Sequence, residues 1–124
     1  MLEIIFLLLI LYYIQVWLTP VLLNLNNINY FLSNRDIEYE FSDTAKRVYR
    51  AADNLKESLP AFLTLSVLSI FMDKDNTLIA SYWLILRVAF FVTYSFGITI
   101  LYVRSIIWGG SLLCLFFMAL SLLN

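Results

Sequence analysis

Two arginines, an asparagine and a glutamate recur with helical spacing in the middle of the chain. Arg47, Arg50, Asn54 and Glu57 are separated by 3, 4 and 3 positions. At about 100° per residue, these side chains share an arc of roughly 80° on one helix. A guanidinium group binds a carboxylate through paired hydrogen bonds, and a carboxylate binds an ammonium group. The stripe could therefore hold a charged guest, although structural ion pairs or helix ends in the headgroup zone would explain the same spacing.

A second stripe lies in a long apolar stretch, where Arg87, Phe90 and Tyr94 are spaced by 3 and 4 positions. An ionised side chain at the bilayer centre costs about 2.5 to 3.5 kcal/mol on insertion scales, so such residues usually face a bundle interior or a polar cavity. We therefore predict that the two stripes meet, within one chain or across a subunit boundary. Glu57 or Asp53 would then compensate an arginine, and a polar pocket would open toward the cytoplasm.

The composition indicates a membrane protein and excludes several kinds of chemistry. Of 124 residues, 62% are hydrophobic and 14% are charged, and the mean hydropathy is +0.85, whereas soluble domains carry about 25% charged residues. The chain has no His, which excludes Ser-His-Asp and Cys-His catalysis and histidine-ligated metal, and we expect no metal.

A formal net charge of -1 offers no basic surface to nucleic acid. Cys114 lies in an apolar run and is interpreted as a core residue.

The apolar stretches are long enough to cross a bilayer, because about 20 helical residues span a hydrocarbon layer about 30 Å thick. We predict four spans, at about 4–23, 48–72, 78–101 and 106–123. The second belongs to a helix from about Thr44 to Met72, with Ser42 or Asp43 as its N-cap and Pro60 as a kink. The chain is therefore predicted to be an all-α integral membrane four-helix bundle, with residues 1–124 forming one membrane domain.

The distribution of basic residues predicts the orientation of these spans. Four spans place both termini on one side of the membrane. The first and third loops carry Arg35, Lys46, Arg47 and Arg104, whereas the second loop carries only Lys74. Cytoplasmic loops are enriched in Lys and Arg, so we expect the first and third loops in the cytoplasm and both termini outside. The first span follows Glu3 instead of basic residues, and we expect it to be retained rather than removed as a signal peptide.

The residues of the first stripe also form a recognisable motif. From Arg47 to Phe62 the sequence follows the pattern RxxRAxxNxxExxPxF. This pattern resembles the second-helix signature of the MAPEG family, the membrane-associated proteins in eicosanoid and glutathione metabolism. The segments from Arg87 to Gly97 and from Arg104 to Trp108 are similar to the third-to-fourth-helix region of short bacterial members. The resemblance covers about residues 44–108.

This resemblance implies four-helix subunits assembled as homotrimers, with glutathione bound as cosubstrate between subunits near the cytoplasmic face. Known members include microsomal glutathione transferases, leukotriene C4 synthase and prostaglandin E synthase. By position, Arg50, Asn54, Glu57 and Tyr94 would bind glutathione, with Arg50 on a carboxylate and Glu57 on the ammonium group. Arg104 would be the catalytic residue, because a free thiol has a pKa of about 8.5 and a nearby guanidinium favours its anion.

The sequence also departs from the family pattern. Phe90 stands where many members have Tyr, and Ser58 stands where leukotriene C4 synthase has another Tyr, so two hydroxyl donors are missing. The interval from Gly97 to Arg104 is longer than in bacterial members, and it could displace Arg104 from the thiol.

Three functions are compatible with these residues. The first is a membrane-embedded glutathione-dependent transferase or peroxidase acting on lipophilic electrophiles. The second is a non-catalytic subunit that serves assembly or interaction with other membrane subunits in the lipid bilayer. The third is a small transporter or channel in which Arg87 lines a pathway, although the sequence shows no paired broken helices or repeat halves. Abundant Asn, Ile, Leu and Phe suit an AT-rich bacterial genome, so we expect a bacterial inner membrane protein.

Overall fold

The structure is a computed structural model that describes residues 1–33, 40–98 and 102–123, without the side chains of Asn27 and Phe31. The described residues form helices and no strands, as the all-α prediction requires. In chain order the elements are α1 (Leu2–Tyr13), a π-helical turn (Ile14–Leu18), α2 (Thr19–Leu23), a 3-10 turn (Leu25–Asn27), α3 (Ile28–Leu32), α4 (Asp43–Phe71), α5 (Thr77–Ser95) and α6 (Val103–Leu123). The first three elements are continuous and are named together the N-terminal helix (Leu2–Leu23).

Three helices in the described ranges are long and apolar enough to cross a membrane. They are the N-terminal helix with 22 residues, α5 with 19 and α6 with 21, and at 1.5 Å per residue each rises about 30 Å. The fourth long helix, α4, has 29 residues but carries many charges in its first half and is not among the three. These helices indicate a lipid bilayer environment.

The start of α4 follows from its sequence. The Ser42 hydroxyl oxygen accepts a hydrogen bond from the backbone N–H of Ala45 over 3.2 Å. This bond confirms the expected N-cap and satisfies one of the N–H groups that lack a partner at a helix start. Pro60 lies inside α4 and offers no N–H to the carbonyl of Lys56, yet the helix continues to Phe71.

The third helix is shorter than its predicted span. α5 ends at Ser95 and not near Leu101, because Gly97 adopts a φ of +65°. Two hydrogen bonds close this end, from the N–H of Ile98 to the carbonyl of Thr93 over 3.0 Å and from the N–H of Gly97 to the carbonyl of Tyr94 over 3.1 Å. Together they form a Schellman motif, which favours glycine because the left-handed conformation penalises a Cβ.

The last helix begins earlier than predicted. Residues 99–101 lie outside the described residues, and α6 begins at Val103 instead of Ile106. Arg104 therefore lies inside the first turn of α6 and does not precede the helix. Its side chain is consequently held in register with the residues that follow it on α6.

The N-terminal helix, α4, α5 and α6 pack around one apolar core. The buried residues of this core are Ile4, Leu8, Leu11, Leu55, Phe62, Ala80, Trp83, Leu115 and Met118. The rings of Phe62 and Trp83 stack between α4 and α5, with centroids 4.0 Å apart and an interplanar angle of 17°. Because lipid tails are as apolar as leucine, close packing and interhelical hydrogen bonds hold helices together in a membrane.

Hydrogen bonds of Asn76 tie the α4–α5 turn to α6. Its side-chain nitrogen donates to the Ser69 hydroxyl over 2.9 Å and to the carbonyl of Met118 over 3.2 Å, and its oxygen accepts from the Ser121 hydroxyl over 2.7 Å. Asn76 is only 1% exposed, so these bonds replace water at a buried amide. Ser69, Asn76 and Ser121 are hereafter named the turn cluster.

The N-terminal helix contains a local widening ahead of Pro20. At its π turn, the backbone N–H of Thr19 donates to the carbonyl of Ile14, and the Thr19 hydroxyl donates to the same carbonyl over 2.8 Å. Proline cannot donate a backbone hydrogen bond and crowds the preceding turn, and π turns are one way in which a helix accommodates such a change. Gln15 is buried within this turn.

Candidate functional site

An open cavity of about 380 Å³ lies between α4, α5 and α6. It is lined by Asn54, Phe90, Tyr94, Arg104, Ser105 and Trp108. Ligand pockets commonly have volumes of about 300 to 1,000 Å³, so this cavity is large enough for part of a small peptide. Larger grooves lie elsewhere on the protein, but here an amide, a guanidinium group and three aromatic rings converge. We name it the α4–α6 cavity; it contains three of the five predicted site residues, Asn54, Tyr94 and Arg104.

A buried arginine fixes the orientation of Asn54 in the cavity wall. Arg87 is 2% exposed, and its Nη1 donates to the side-chain oxygen of Asn54 over 2.6 Å. A guanidinium group can only donate, so the amide must present its oxygen to Arg87. The Asn54 amide nitrogen therefore points away from Arg87, and its two N–H groups can donate to an acceptor in the cavity.

The surroundings of Arg87 do not neutralise its charge by contact. Its Nε and Nη2 are buried without a hydrogen-bond partner among the described residues, and its guanidinium carbon lies 5.2 Å from the centroid of the Trp83 ring. Of the two carboxylates expected to compensate an arginine, Glu57 or Asp53, Asp53 pairs with Lys56 over 3.0 Å within the described ranges. Glu57 attracts Arg87 electrostatically without direct contact.

The burial of the Arg87 guanidinium does not favour the stability of the fold. A buried cation with one neutral hydrogen-bond partner keeps most of its desolvation penalty. Apolar residues of similar volume often replace buried charges without loss of stability. The position of Arg87 is therefore better explained by its effect on Asn54 and on the potential of the cavity than by its contribution to folding.

Arg104 lies over an aromatic ring at the mouth of the cavity. Its guanidinium carbon is 5.1 Å from the centroid of the Tyr94 ring, and Tyr94 stacks on Phe90 with centroids 5.4 Å apart. A cation over an aromatic face is stabilised by about 0.5 to 1 kcal/mol at an exposed site. Arg104 is exposed and has no ion pair with any residue the structure describes. The long interval after Gly97 thus leaves Arg104 beside Tyr94, with its positive charge directed to the cavity mouth.

The remaining two predicted residues, Arg50 and Glu57, do not line the cavity. Both are exposed on α4. At about 100° per residue, Arg50 lies about 40° and Glu57 about 60° to one side of Asn54. Because Asn54 faces α5, the other two project from the lateral surface of the chain. Arg47 lies on the opposite side of Asn54 and packs at the end of α5, where a Cβ at Gly97 would be 3.2 Å from its guanidinium carbon.

Two residues of the cavity wall were not assigned a role from the sequence. Ser105 directly follows Arg104 and Trp108 lies four positions after it, a spacing that puts all three on one side of α6. By contrast, Ser58 faces away from this site, since it is buried and its hydroxyl donates to the carbonyl of Leu55 over 3.0 Å. The hydroxyl groups within the cavity are therefore those of Tyr94 and Ser105.

The helices and the cation-bearing cavity define an all-helical protein of membrane type. The sequence model of the MAPEG family matches residues 1–124, the whole chain. The chain therefore belongs to the MAPEG family, which confirms the resemblance found in the second-helix pattern. The searches of curated proteins and of solved structures gave no match. Membership places the chain in a family of membrane proteins that includes glutathione-related transferases and peroxidases.

Proposed function

We propose that the protein is a membrane-embedded glutathione-dependent transferase or peroxidase that acts on lipophilic electrophiles. The observation that carries this proposal is the position of Arg104 over Tyr94, at the mouth of a cavity whose wall presents the oriented amide of Asn54. These groups are donors and cations, and they suit an anionic peptide. Glutathione supplies the thiol nucleophile.

Each residue has a distinct role in this proposal. The N–H groups of Asn54 bind a carbonyl or carboxylate oxygen of the peptide, and Arg87 holds Asn54 in that orientation. Tyr94 supplies a hydroxyl donor, and its ring supports Arg104. The guanidinium of Arg104 lowers the pKa of the thiol because it stabilises the thiolate, and the released proton passes to solvent through the open mouth of the cavity.

The lateral position of Arg50 and Glu57 supports assembly as a homotrimer. A closed symmetric assembly would bring a neighbouring subunit against this surface. Arg50 would then bind a carboxylate of glutathione and Glu57 its ammonium group, at the seam between two subunits. We place the protein in a bacterial inner membrane with both termini outside, so that the cavity lies near the cytoplasmic loops, where glutathione has access.

Binding of glutathione to the purified protein in detergent tests this proposal. Glutathione should raise the unfolding temperature, since a ligand at 100 times its Kd stabilises the folded state by about 2.7 kcal/mol. It should also give the ultraviolet absorbance of a bound thiolate, which Arg104→Ala should abolish and Arg104→Lys should partly retain. Lys46→Ala is the matched control, because Lys46 is an exposed cation on α4 outside the cavity. An absence of binding at millimolar glutathione would refute the proposal.

One observation favours a second function, a non-catalytic subunit in a larger membrane assembly. Phe90 has no hydroxyl, and the hydroxyl of Ser58 is bonded to backbone carbonyls, so two family positions provide no donor. Purification with a partner protein at fixed stoichiometry, together with an unfolding temperature that glutathione does not change, would support this alternative over the enzyme.

A further inference from the structure

The indole of Trp108 is an unpaired aromatic surface in the wall of the α4–α6 cavity. Its side chain is 43% exposed and has no ring or hydrogen-bond partner among the described residues. The other tryptophans are placed differently. Trp83 is fully buried and stacks on Phe62, whereas Trp17 is 60% exposed on the N-terminal helix, outside this cavity.

The position of Trp108 relative to Arg104 is set by α6. Four residues rise about 6 Å along a helix, and the residues after Trp108 form the apolar middle of the predicted span. Trp108 is therefore deeper in the membrane than Arg104 and on the same side of the helix. A lipophilic molecule that enters the cavity from the hydrocarbon layer would meet the indole before it reaches the guanidinium.

The space beside Trp108 is open. The α4–α6 cavity, with a volume of about 380 Å³, lies against the indole. Across this space from Trp108 are Phe90 and Tyr94 of α5. A flat group could occupy this room in contact with the Trp108 ring.

The other aromatic rings of the cavity already have partners. Tyr94 contacts both Phe90 and Arg104, which leaves Trp108 as the ring available for stacking within the described cavity wall. Offset stacking adds to the binding that area burial provides, and it favours a planar ring over a flexible chain. A ring held there would lie in the same cavity as Arg104, where the thiolate is proposed to form.

We propose that Trp108 is a specificity-determining residue that stacks on planar aromatic electrophiles and favours them over aliphatic electrophiles of equal size. This inference rests on the proposed glutathione-dependent function. With an epoxide attached to an aromatic ring, the thiolate sulfur forms a bond to an epoxide carbon and the carbon–oxygen bond breaks. The bond's electron pair moves to the oxygen, which takes a proton from water, and the earlier thiol proton has left to solvent.

A pair of epoxides with equal carbon number, one aryl and one alkyl, tests this selectivity in the assembled protein. In Trp108→Leu, kcat/KM for the aryl epoxide should fall about threefold to tenfold. For the alkyl epoxide, kcat/KM should change by less than about twofold, which corresponds to a few tenths of a kcal/mol. Trp108→Phe should retain part of the selectivity. Trp17→Leu makes the same substitution at the other exposed tryptophan and should leave the ratio unchanged. Equal losses for both epoxides in Trp108→Leu would overturn the inference.

A binding measurement separates this inference from the proposed function. In Trp17→Leu, the indole of Trp108 remains in the cavity. In Trp108→Leu, the remaining indoles are that of Trp17, outside the cavity, and that of buried Trp83. Nitronaphthalene should quench the fluorescence of Trp17→Leu more strongly than that of Trp108→Leu, whereas bromododecane should quench both to a similar extent. If nitronaphthalene makes no such distinction, Trp108 does not bind aromatic rings, whether or not glutathione binds. If it does and glutathione fails to bind, only the proposed function is wrong.

Discussion

Two polar clusters lie toward opposite ends of the same helices, and they differ in how completely their groups are bonded. The turn cluster is uncharged, and Asn76 reaches a partner with both its oxygen and its nitrogen. The α4–α6 cavity is lined by the cation Arg104, and Arg87, which holds Asn54 in the cavity wall, has two buried nitrogens without a partner among the described residues. Satisfied buried networks make a structure rigid, whereas incomplete ones are unfavourable. The turn cluster therefore stabilises the fold, whereas the incomplete bonding of Arg87 supports the proposal that the cavity binds a ligand.

The largest expected effect is on the turn cluster. Asn76→Leu should lower the free energy of unfolding by about 2 to 3 kcal/mol, because it leaves buried groups such as the Ser69 hydroxyl without that partner. Thermal unfolding in detergent measures the loss, and glutathione affinity of the folded protein should not change. Asn26→Leu is the control, since Asn26 is exposed. A stability equal to that of the unchanged protein would show that the turn cluster does not stabilise the fold.

The next effect should appear in binding rather than in stability. Arg87→Met should weaken glutathione binding about tenfold, which is about 1.4 kcal/mol, because Asn54 loses the group that orients it. The free energy of unfolding should change by less than about 1 kcal/mol, since an apolar side chain avoids the desolvation of the buried cation. Isothermal titration and thermal unfolding measure the two quantities.

Lys46→Met removes an exposed cation from α4 and provides the control for Arg87→Met. It should alter neither glutathione affinity nor stability beyond a few tenths of a kcal/mol. If Arg87→Met instead destabilises the protein as strongly as Asn76→Leu and leaves affinity unchanged, both clusters are structural and the contrast between them disappears.

The sequence predicts the local features of the site well. It does not predict which residues of the α4 stripe face α5 and which face outward. The cap at Ser42 and the helical stripe on α4 depend only on residue type and spacing. The stripe's arc of roughly 80° does not distinguish Asn54, which faces α5, from Arg50 and Glu57, which face outward. That distinction depends on where α5 packs against α4, and nothing in the pattern of α4 alone determines it.

Two further differences have separate origins, one local and one at long range. Hydropathy stays high beyond Ser95, so the apolar run predicts a longer α5, although Gly97 is the residue that reverses the backbone. Asn76 reads as an ordinary turn residue, yet its partners Met118 and Ser121 are 42 and 45 positions away. Contacts at such separation are set by the packing of whole helices and leave no local pattern.

A smaller effect should distinguish the open and packed sides of α6. Gly109→Ala should stabilise the protein by about 0.5 to 1 kcal/mol, because alanine favours a helix over glycine and its Cβ meets open space. Gly110→Ala should gain less or lose stability, since its Cβ would lie 3.3 Å from Leu86. Chemical denaturation of both variants measures the difference. Equal values would show that α6 is packed as closely at Gly109 as at Gly110.

The smallest effect should be a pH dependence at the turn end. Asp75 precedes α5, and its Oδ1 accepts a hydrogen bond from the backbone N–H of Thr77 over 3.0 Å. Hydrogen bonds from this N–H and from the Thr77 side chain lower the pKa of Asp75. A lowered pKa adds stability above the unfolded-state pKa of about 3.9, and this stability is lost as the pH falls through the lower folded-state value. Asp75→Asn should therefore slightly reduce the stability that the protein loses as the pH falls.

Asp73→Asn provides the comparison within the same turn. Asp73 has a φ of 54°, a conformation that asparagine tolerates, and its side chain makes no hydrogen bond to α5 in the described part of the chain. Unfolding temperatures measured between neutral pH and about pH 3, below the ordinary aspartate pKa, should decline with the same slope in Asp73→Asn as in the unchanged protein. The slope should be shallower in Asp75→Asn alone, because only that carboxylate gains a hydrogen bond on folding. If both variants decline alike, the bond to Thr77 does not stabilise the start of α5.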